Sequence, residues 1–193
     1  MDFRQQTVVL LKPDTVKRGL VGEIISRFEK VGLKIIAMKM VWISPDLAKK
    51  HYPISREDWI ESIGKRALET YKEYGRDPGE DLDSLDPKEI GKKMASWLVD
   101  FLTEGPLVAM LLEGGNAINT VRKMTGHTFG DRALPGTIRG DFSDERGYVG
   151  FVEKRSARNL VHASGNVEEA EFEKKLWFKE NEIHQYKRVE DSL

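Results

Sequence analysis

Four short apolar runs set the terms on which this chain can fold. Thr7-Val8-Val9-Leu10-Leu11 is closed by Pro13, and Leu33 to Trp42 is rich in Ile, Met and Val. Leu107 to Leu112 follows Gly105-Pro106, and Asn159 to His162 ends on an imidazole. Runs of this kind bounded by turn-formers read as buried strands, whereas helices place apolar residues at every third or fourth position. The second pattern fills the gaps between the runs. Leu20, Val21, Ile24, Ile25, Phe28 and Val31 form a helical stripe stopped by Gly32. A further helix opens at Ser44-Pro45-Asp46, with serine as N-cap and proline at the first helical position. Two more span about Asn116 to Met124 and Val167 to Trp177.

Residues 54 to about 92 carry a different signature. Ser55 followed by Asp58 resembles an acidic capping box ahead of Trp59, Ile60, Ile63, Ala67, Leu68 and Tyr71, and Gly75 ends that stripe. After an Asp77-Pro78-Gly79 turn and an acidic loop, Asp86-Pro87-Lys88-Glu89 caps a helix bearing Ile90, Met94, Trp97, Leu98, Phe101 and Leu102. The pair predicts a helical hairpin. Residues 126–142, with four glycines and Pro135, read as one long functional loop. The order strand, helix, strand, helices, strand, helix, loop, strand, helix predicts an α+β chain. Its frame is a ferredoxin-like βαββαβ sandwich, an antiparallel four-stranded sheet with helices on one face, plus the inserted helical hairpin. A length of 193 residues fits a single domain over 1–193, with insertions at about 54–92 and 144–156. The second insertion, with Tyr148, Val149, Phe151 and Val152, is expected to form a small hairpin.

Composition removes several classes of function. There is no cysteine, hence no disulfide, thiolate nucleophile or cysteine-held metal. A net charge of −1 gives no global pull toward nucleic acid or an anionic membrane. The opening Met-Asp-Phe-Arg-Gln-Gln-Thr lacks a secretory leader pattern, and no stretch approaches the roughly 18 apolar residues of a membrane span. The expectation is a soluble, cytoplasmic protein with no membrane and no specific nucleic-acid partner. Neither a P-loop nor a Gly-x-Gly-x-x-Gly stretch occurs, and no ligand spacing suggests a protein-held metal.

Of the four histidines, His51 at a helix end and His184 in a polar tail read most simply as hydrogen-bonded or solvent-facing, while His127, in the glycine-bearing loop, is ambiguous. His162 ends an apolar strand just ahead of a helix. An unperturbed imidazole has a pKa of about 6.5, so near neutrality it offers a nitrogen lone pair that can take a proton, bind a metal or attack phosphorus. Lys12 directly after the first strand, Arg122 on a helix and Arg139 in the loop favour phosphate chemistry, since guanidinium forks match phosphate oxygens. Taken singly, each of those cations is most simply a solvated or ion-paired surface residue.

Together these segments resemble the nucleoside diphosphate kinase family. The resemblance rests on Leu11-Lys12-Pro13-Asp14, Arg18-Gly19-Leu20-Val21-Gly22-Glu23-Ile24-Ile25, His51-Tyr52 and Gly105-Pro106-Leu107-Val108-Ala109-Met110. It continues through Pro135-Gly136-Thr137-Ile138-Arg139-Gly140-Asp141-Phe142, Arg158-Asn159-Leu160-Val161-His162-Ala163-Ser164 and Leu176-Trp177-Phe178. What it implies is transfer of a γ-phosphoryl group from a nucleoside triphosphate to a nucleoside diphosphate through phosphohistidine at His162, with ping-pong kinetics, which maintains nucleoside triphosphate pools. It places Lys12, Arg122, Thr128 and Arg139 on the phosphates, Asn159 on the ribose, and Glu173 on the histidine, with Tyr52 and Ser164 as hydroxyl groups beside it. Mg2+ is implied as a passenger on the nucleotide, and a homo-hexamer or tetramer as the assembly.

Three departures accompany the resemblance. The family's His-Gly-Ser-Asp reads His162-Ala163-Ser164-Gly165 here. Counting back from Gly105-Pro106 puts Met94 where the family stacks an aromatic side chain on the base, with Leu98 at an adjoining position and Trp97 close by. The two insertions exceed the family pattern. Together with the changed His162-Ala163-Ser164-Gly165 turn they motivate an alternative expectation: a catalytically weak nucleotide-binding protein with a regulatory or scaffolding role.

Overall fold

The computed structural model describes residues 4–189; residues 1–3, part of the N-terminal stretch read above for a leader, and 190–193 lie outside the described residues. The chain divides into two compact units, one made of residues 4–41, 107–125 and 161–189 within the described range, the other of 42–106 and 126–160.

The first unit holds the sheet. Strand β1 (Arg4–Leu11) is followed by the short helix α1 (Pro13–Lys17), helix α2 (Val21–Lys30) and strand β2 (Lys34–Val41). Strand β3 (Leu107–Gly115), helix α6 (Ala117–Thr125), strand β4 (Val161–Ala163) and helix α9 (Val167–Trp177) complete it. The strand order is β2-β3-β1-β4, and every pairing is antiparallel, with Leu11 opposite Val108 and Leu10 opposite His162. This is the expected α+β architecture. Val8 to Leu11 and Ala109 to Leu112 are all fully buried, so the two central strands carry unbroken apolar runs instead of alternation. Edge strand β2 does expose part of its length, at Met38 and Met40. Proposed strand limits of 159–162 are corrected to 161–163: Leu160 has φ 67°, which no ladder accommodates.

Residues after α9, read from sequence as a polar tail, lie along β2. The His184 N–H donates to the Ile36 carbonyl at 2.8 Å, the Tyr186 hydroxyl to Ile35 O at 2.8 Å, and Lys39 Nζ pairs with Glu182 at 2.8 Å. The β2–β3 register slips between Ile35 and Ala37, and a bulge of this kind turns a strand carbonyl away from its ladder. The Lys179 N–H, followed by Lys39, holds the Glu182 carboxyl below its ordinary pKa. A depressed carboxylate contributes stability above its unfolded pKa and loses it as pH falls through the folded value. Protection of the His184 amide from hydrogen exchange, corrected for intrinsic rate, is therefore expected to drop on acidification through that range and to stay flat in a Glu182→Gln variant.

The second unit is built on helices α3 (Pro45–His51), α4 (Glu57–Glu73) and α5 (Pro87–Thr103), with short helices α7 (Ile138–Phe142) and α8 (Val149–Val152). Ser44 caps α3 by accepting from Leu47 N, and Asp86 caps α5 by accepting from Lys88 N at 2.9 Å. The Ser55/Asp58 box does not form: Arg56 is the N-cap of α4, and its Nε lies 3.2 Å from Asp58 instead. The hairpin stands as expected, with Ala67, Tyr71 and Ile90 clustered around Phe151, and Ile60, Ile63 and Ala95 in a second cluster. Two expectations are corrected. Residues 138–142 of the long loop are helical, because Thr137 caps them by accepting from Gly140 N, and the second insertion forms α8 rather than a hairpin.

Candidate functional site

Strand β4 sets His162 opposite Leu10, and an N-capped helix then returns a carboxylate to it. Asn166 starts α9 by accepting from Glu169 N at 2.8 Å, and Glu173 lies on that helix, buried. Its Oε1 is 2.7 Å from His162 Nε2 and its Oε2 takes the Ser164 hydroxyl at 2.7 Å. Ser164, fully buried, also accepts from the Val8 N–H at 3.1 Å. Each partner thus fixes the next. A carboxylate only accepts, so Nε2 carries the proton and Nδ1 the lone pair. The imidazole itself is half-buried. Glu173 is therefore buried and paired, although it shares α9 with exposed Glu168, Glu169 and Glu171.

The Gly165 departure has a local reason. Gly165 N–H donates to Glu169 Oε2 at 2.7 Å, and a Cβ at Gly165 would fall 2.7 Å from that same oxygen. Glu169 fills the space into which a side chain at 165 would project. The signal was present in the sequence as Asn166-x-x-Glu169, a capping-box spacing at the start of α9.

In the same unit Lys12 is only 5% exposed, at the junction of β1 and α1, next to buried Asp14 and Thr15. The reading of Lys12 as a solvated surface residue is corrected: a lysine is kept buried only where charge is compensated or used. Arg122 is on α6 and exposed.

In the second unit Arg139 staples its own loop. Its Nε donates to Asn159 O at 2.9 Å, and its Nη1 to Gly126 O at 3.0 Å and His127 O at 3.3 Å. Glycine is required here, since a Cβ at Gly126 would lie 2.4 Å from Thr137 Oγ1 and one at Gly140 2.1 Å from Leu134 O. Asn159 is buried and Thr128 exposed. Leu160, one residue on and two before His162 in sequence, is a non-glycine residue in the left-handed region, a strained conformation that concentrates at functional sites. No sequence pattern marks it. Tyr52 is half-buried, its ring 4.8 Å from that of His51. His51, read as an ordinary helix-end residue, is buried. Met94 packs against both hairpin clusters, and the Trp97 ring is 6.3 Å from Phe151, so both help hold the hairpin; Leu98 is half-buried.

A family model described as nucleoside diphosphate kinase matches residues 5–60 and 80–183, leaving a gap inside the inserted hairpin. A nucleoside diphosphate kinase from Pyrobaculum aerophilum is 48% identical over 179 residues, which is 93% of this chain and 97% of the relative. The crystal structure of an NDP kinase from the same organism superposes with a TM-score of 0.89 at 46% identity, covering 94% of this chain and all of that one. A Borrelia burgdorferi nucleoside-diphosphate kinase, solved as a transition-state mimic with vanadate and ADP, follows at 0.79 and 34% identity, covering 99% and 96%. Fold, matched segments and relatives of nearly equal length agree, and the chain belongs to the nucleoside diphosphate kinase family of phosphotransferases.

Proposed function

We propose that the chain moves the γ-phosphoryl of a nucleoside triphosphate to a nucleoside diphosphate in two half-reactions through His162. The observation that carries this reading is the Ser164–Glu173–His162 chain of hydrogen bonds, which leaves the lone pair on Nδ1. Nδ1 attacks the γ-phosphorus, an N–P bond forms, and the bond from phosphorus to the β–γ bridging oxygen breaks, so the diphosphate departs. The positive charge that grows on the imidazole is balanced by buried Glu173. A second nucleoside diphosphate then attacks the phosphohistidine and the same steps run backward.

Phosphoryl transfer needs mainly positioning and charge neutralisation. Lys12, Arg122, Thr128 and Arg139 are assigned to the phosphates, Asn159 to the ribose, Tyr52 to the vicinity of the imidazole, and Met94 and Leu98 to the base. Mg2+ enters with the nucleotide as part of the substrate and needs no protein-built cage. We read the two units as one kinase domain with two insertions, working in the cytoplasm as a homo-hexamer or tetramer; among the described residues no helix is long and apolar enough to cross a membrane. The intact His162–Glu173–Ser164 chain speaks against the alternative of a catalytically weak scaffold.

Incubation with Mg-ATP followed by intact-mass measurement tests the reading. Expected is an acid-labile gain of one phosphoryl group, discharged by GDP with formation of GTP. Nucleotide binding without that gain would sink the ping-pong mechanism and restore the scaffold.

A further inference from the structure

Three segments far apart in sequence meet at one residue of the inserted hairpin. Tyr74 is the C-cap of α4. Its hydroxyl lies 2.9 and 2.8 Å from the carboxylate oxygens of Asp131 and 3.2 Å from Gly147 N. A phenol has one proton to give and lone pairs to accept with, so it donates to Asp131 and accepts from the Gly147 N–H. The Arg132 guanidinium sits 4.0 Å over the Tyr74 ring and pairs with Glu73, also on α4. The Asp131 N–H in turn donates to Glu145 O at 3.5 Å, and the Glu145 carboxylate is held by Arg155 at 2.6 Å.

Steric closure matches the polar contacts. A Cβ at Gly147 would stand 2.6 Å from the Thr70 methyl on α4 and 2.8 Å from the Phe129 ring. A Cβ at Gly130 would stand 2.0 Å from Ser143 O. Both insertions therefore grip the turn at 129–132. That turn directly follows Thr128 in the loop that ends at Arg139 and α7. Arg139 itself anchors residues 126, 127 and 159, whereas the 129–132 turn is anchored through Tyr74, Glu73 and Glu145.

We propose that Tyr74 is a positioning residue for nucleotide binding: its hydroxyl pins Asp131 and Gly147, so that the inserted hairpin braces the loop carrying Thr128 and Arg139. The proposal rests on the assignment of that loop to the phosphates. Burial raises the pKa of the Tyr74 phenol, and the Gly147 N–H opposes that rise while Asp131 adds to it, so the proton remains in place to be donated.

Tyr74→Phe removes the hydroxyl and keeps the ring under Arg132. Expected is a rise of about tenfold in KM and in the dissociation constant for Mg-ADP, with kcat within about twofold, the pattern of lost binding rather than lost chemistry. Phosphorylation of His162 by phosphoramidate, a donor with no nucleoside or β-phosphate to hold, is expected to be unchanged. Asp131→Ala should copy Tyr74→Phe, Asp131→Asn should restore most of the affinity by keeping an acceptor oxygen, and the double variant should be no worse than either single one. A Tyr74→Phe protein with wild-type KM, whatever its loss of thermal stability, overturns the proposal, as does an equal loss in the phosphoramidate reaction. A wild type that takes no phosphoryl group from Mg-ATP would overturn the site assignment and the brace together; a competent wild type indifferent to Tyr74 overturns the brace alone.

Discussion

His162→Gln is expected to lower phosphoryl transfer by about four to six orders of magnitude, the range found when an enzyme loses its nucleophile. Glutamine keeps a polar, half-buried side chain beside Glu173 but has no nitrogen lone pair able to form an N–P bond. At 1.36 kcal/mol per decade the loss corresponds to roughly 5–8 kcal/mol of transition-state stabilisation. Stability should change little, because His162 lies at a partly exposed position. Glu173→Gln should follow with a loss of about two to four orders, since an amide nitrogen can donate to Nε2 and hold the wrong tautomer, as happens in other carboxylate–histidine pairs. Ser164→Ala acts differently. It strands the Val8 N–H inside the sheet, so about 1–3 kcal/mol of stability should go. Single-turnover transfer from Mg-ATP, read by phosphohistidine formation, checks the order. A His162→Gln protein retaining more than about one part in a hundred of wild-type turnover would sink the covalent reading.

Gly91→Ala is the second large effect, and here two physical rules predict opposite signs. Inside a helix, alanine is better than glycine by about 1 kcal/mol, so propensity alone predicts a more stable protein. Gly91 is buried on α5, however, and a Cβ there would lie 2.0 Å from the Ile60 carbonyl oxygen of α4. The reciprocal position is as tight, with a Cβ at Gly64 falling 1.8 Å from Pro87 O. The obstruction is backbone in both cases, so no rotamer change relieves it and the helices must separate. Overpacking of this kind costs about 1–3 kcal/mol and occasionally more, which outweighs the propensity gain. A net loss of about 2 kcal/mol should lower the melting temperature by roughly 4–8 °C in a chain of this length. Lys92→Ala, next door and exposed, should leave it unchanged. A Gly91→Ala protein that melts higher than wild type would show that α4 and α5 do not pack this closely.

How far the chain could be read in advance follows from where its constraints are local. Strands β1 and β3 announce themselves because burial on both faces demands unbroken apolar runs, and α9 was placed at Val167–Trp177 by its periodicity. The caps at Ser44 and Asp86 were legible because a cap is a contact between neighbours in sequence. Failures share the opposite property. Ser55 and Asp58 spell a cap, yet Arg56 competes for Asp58 and the helix starts without one. Residues 149–152 show β-type composition but close into a helical turn, with Phe151 buried against Tyr71 of the other insertion.

The order of the four strands, the helices between them that carry apolar stripes, the inserted hairpin and the family were all legible in the chain, because they reside in side-chain chemistry and short-range pattern. Packing alone decided that the Glu173 carboxylate bridges Ser164 and His162, that Lys12 is buried, and that Arg139 donates to the Asn159 and Gly126 carbonyls. The same holds for Tyr74, which reaches Asp131 across 57 positions of chain. Such contacts depend on distances between atoms that the chain brings together only after its helices and strands have packed, and no local pattern encodes them.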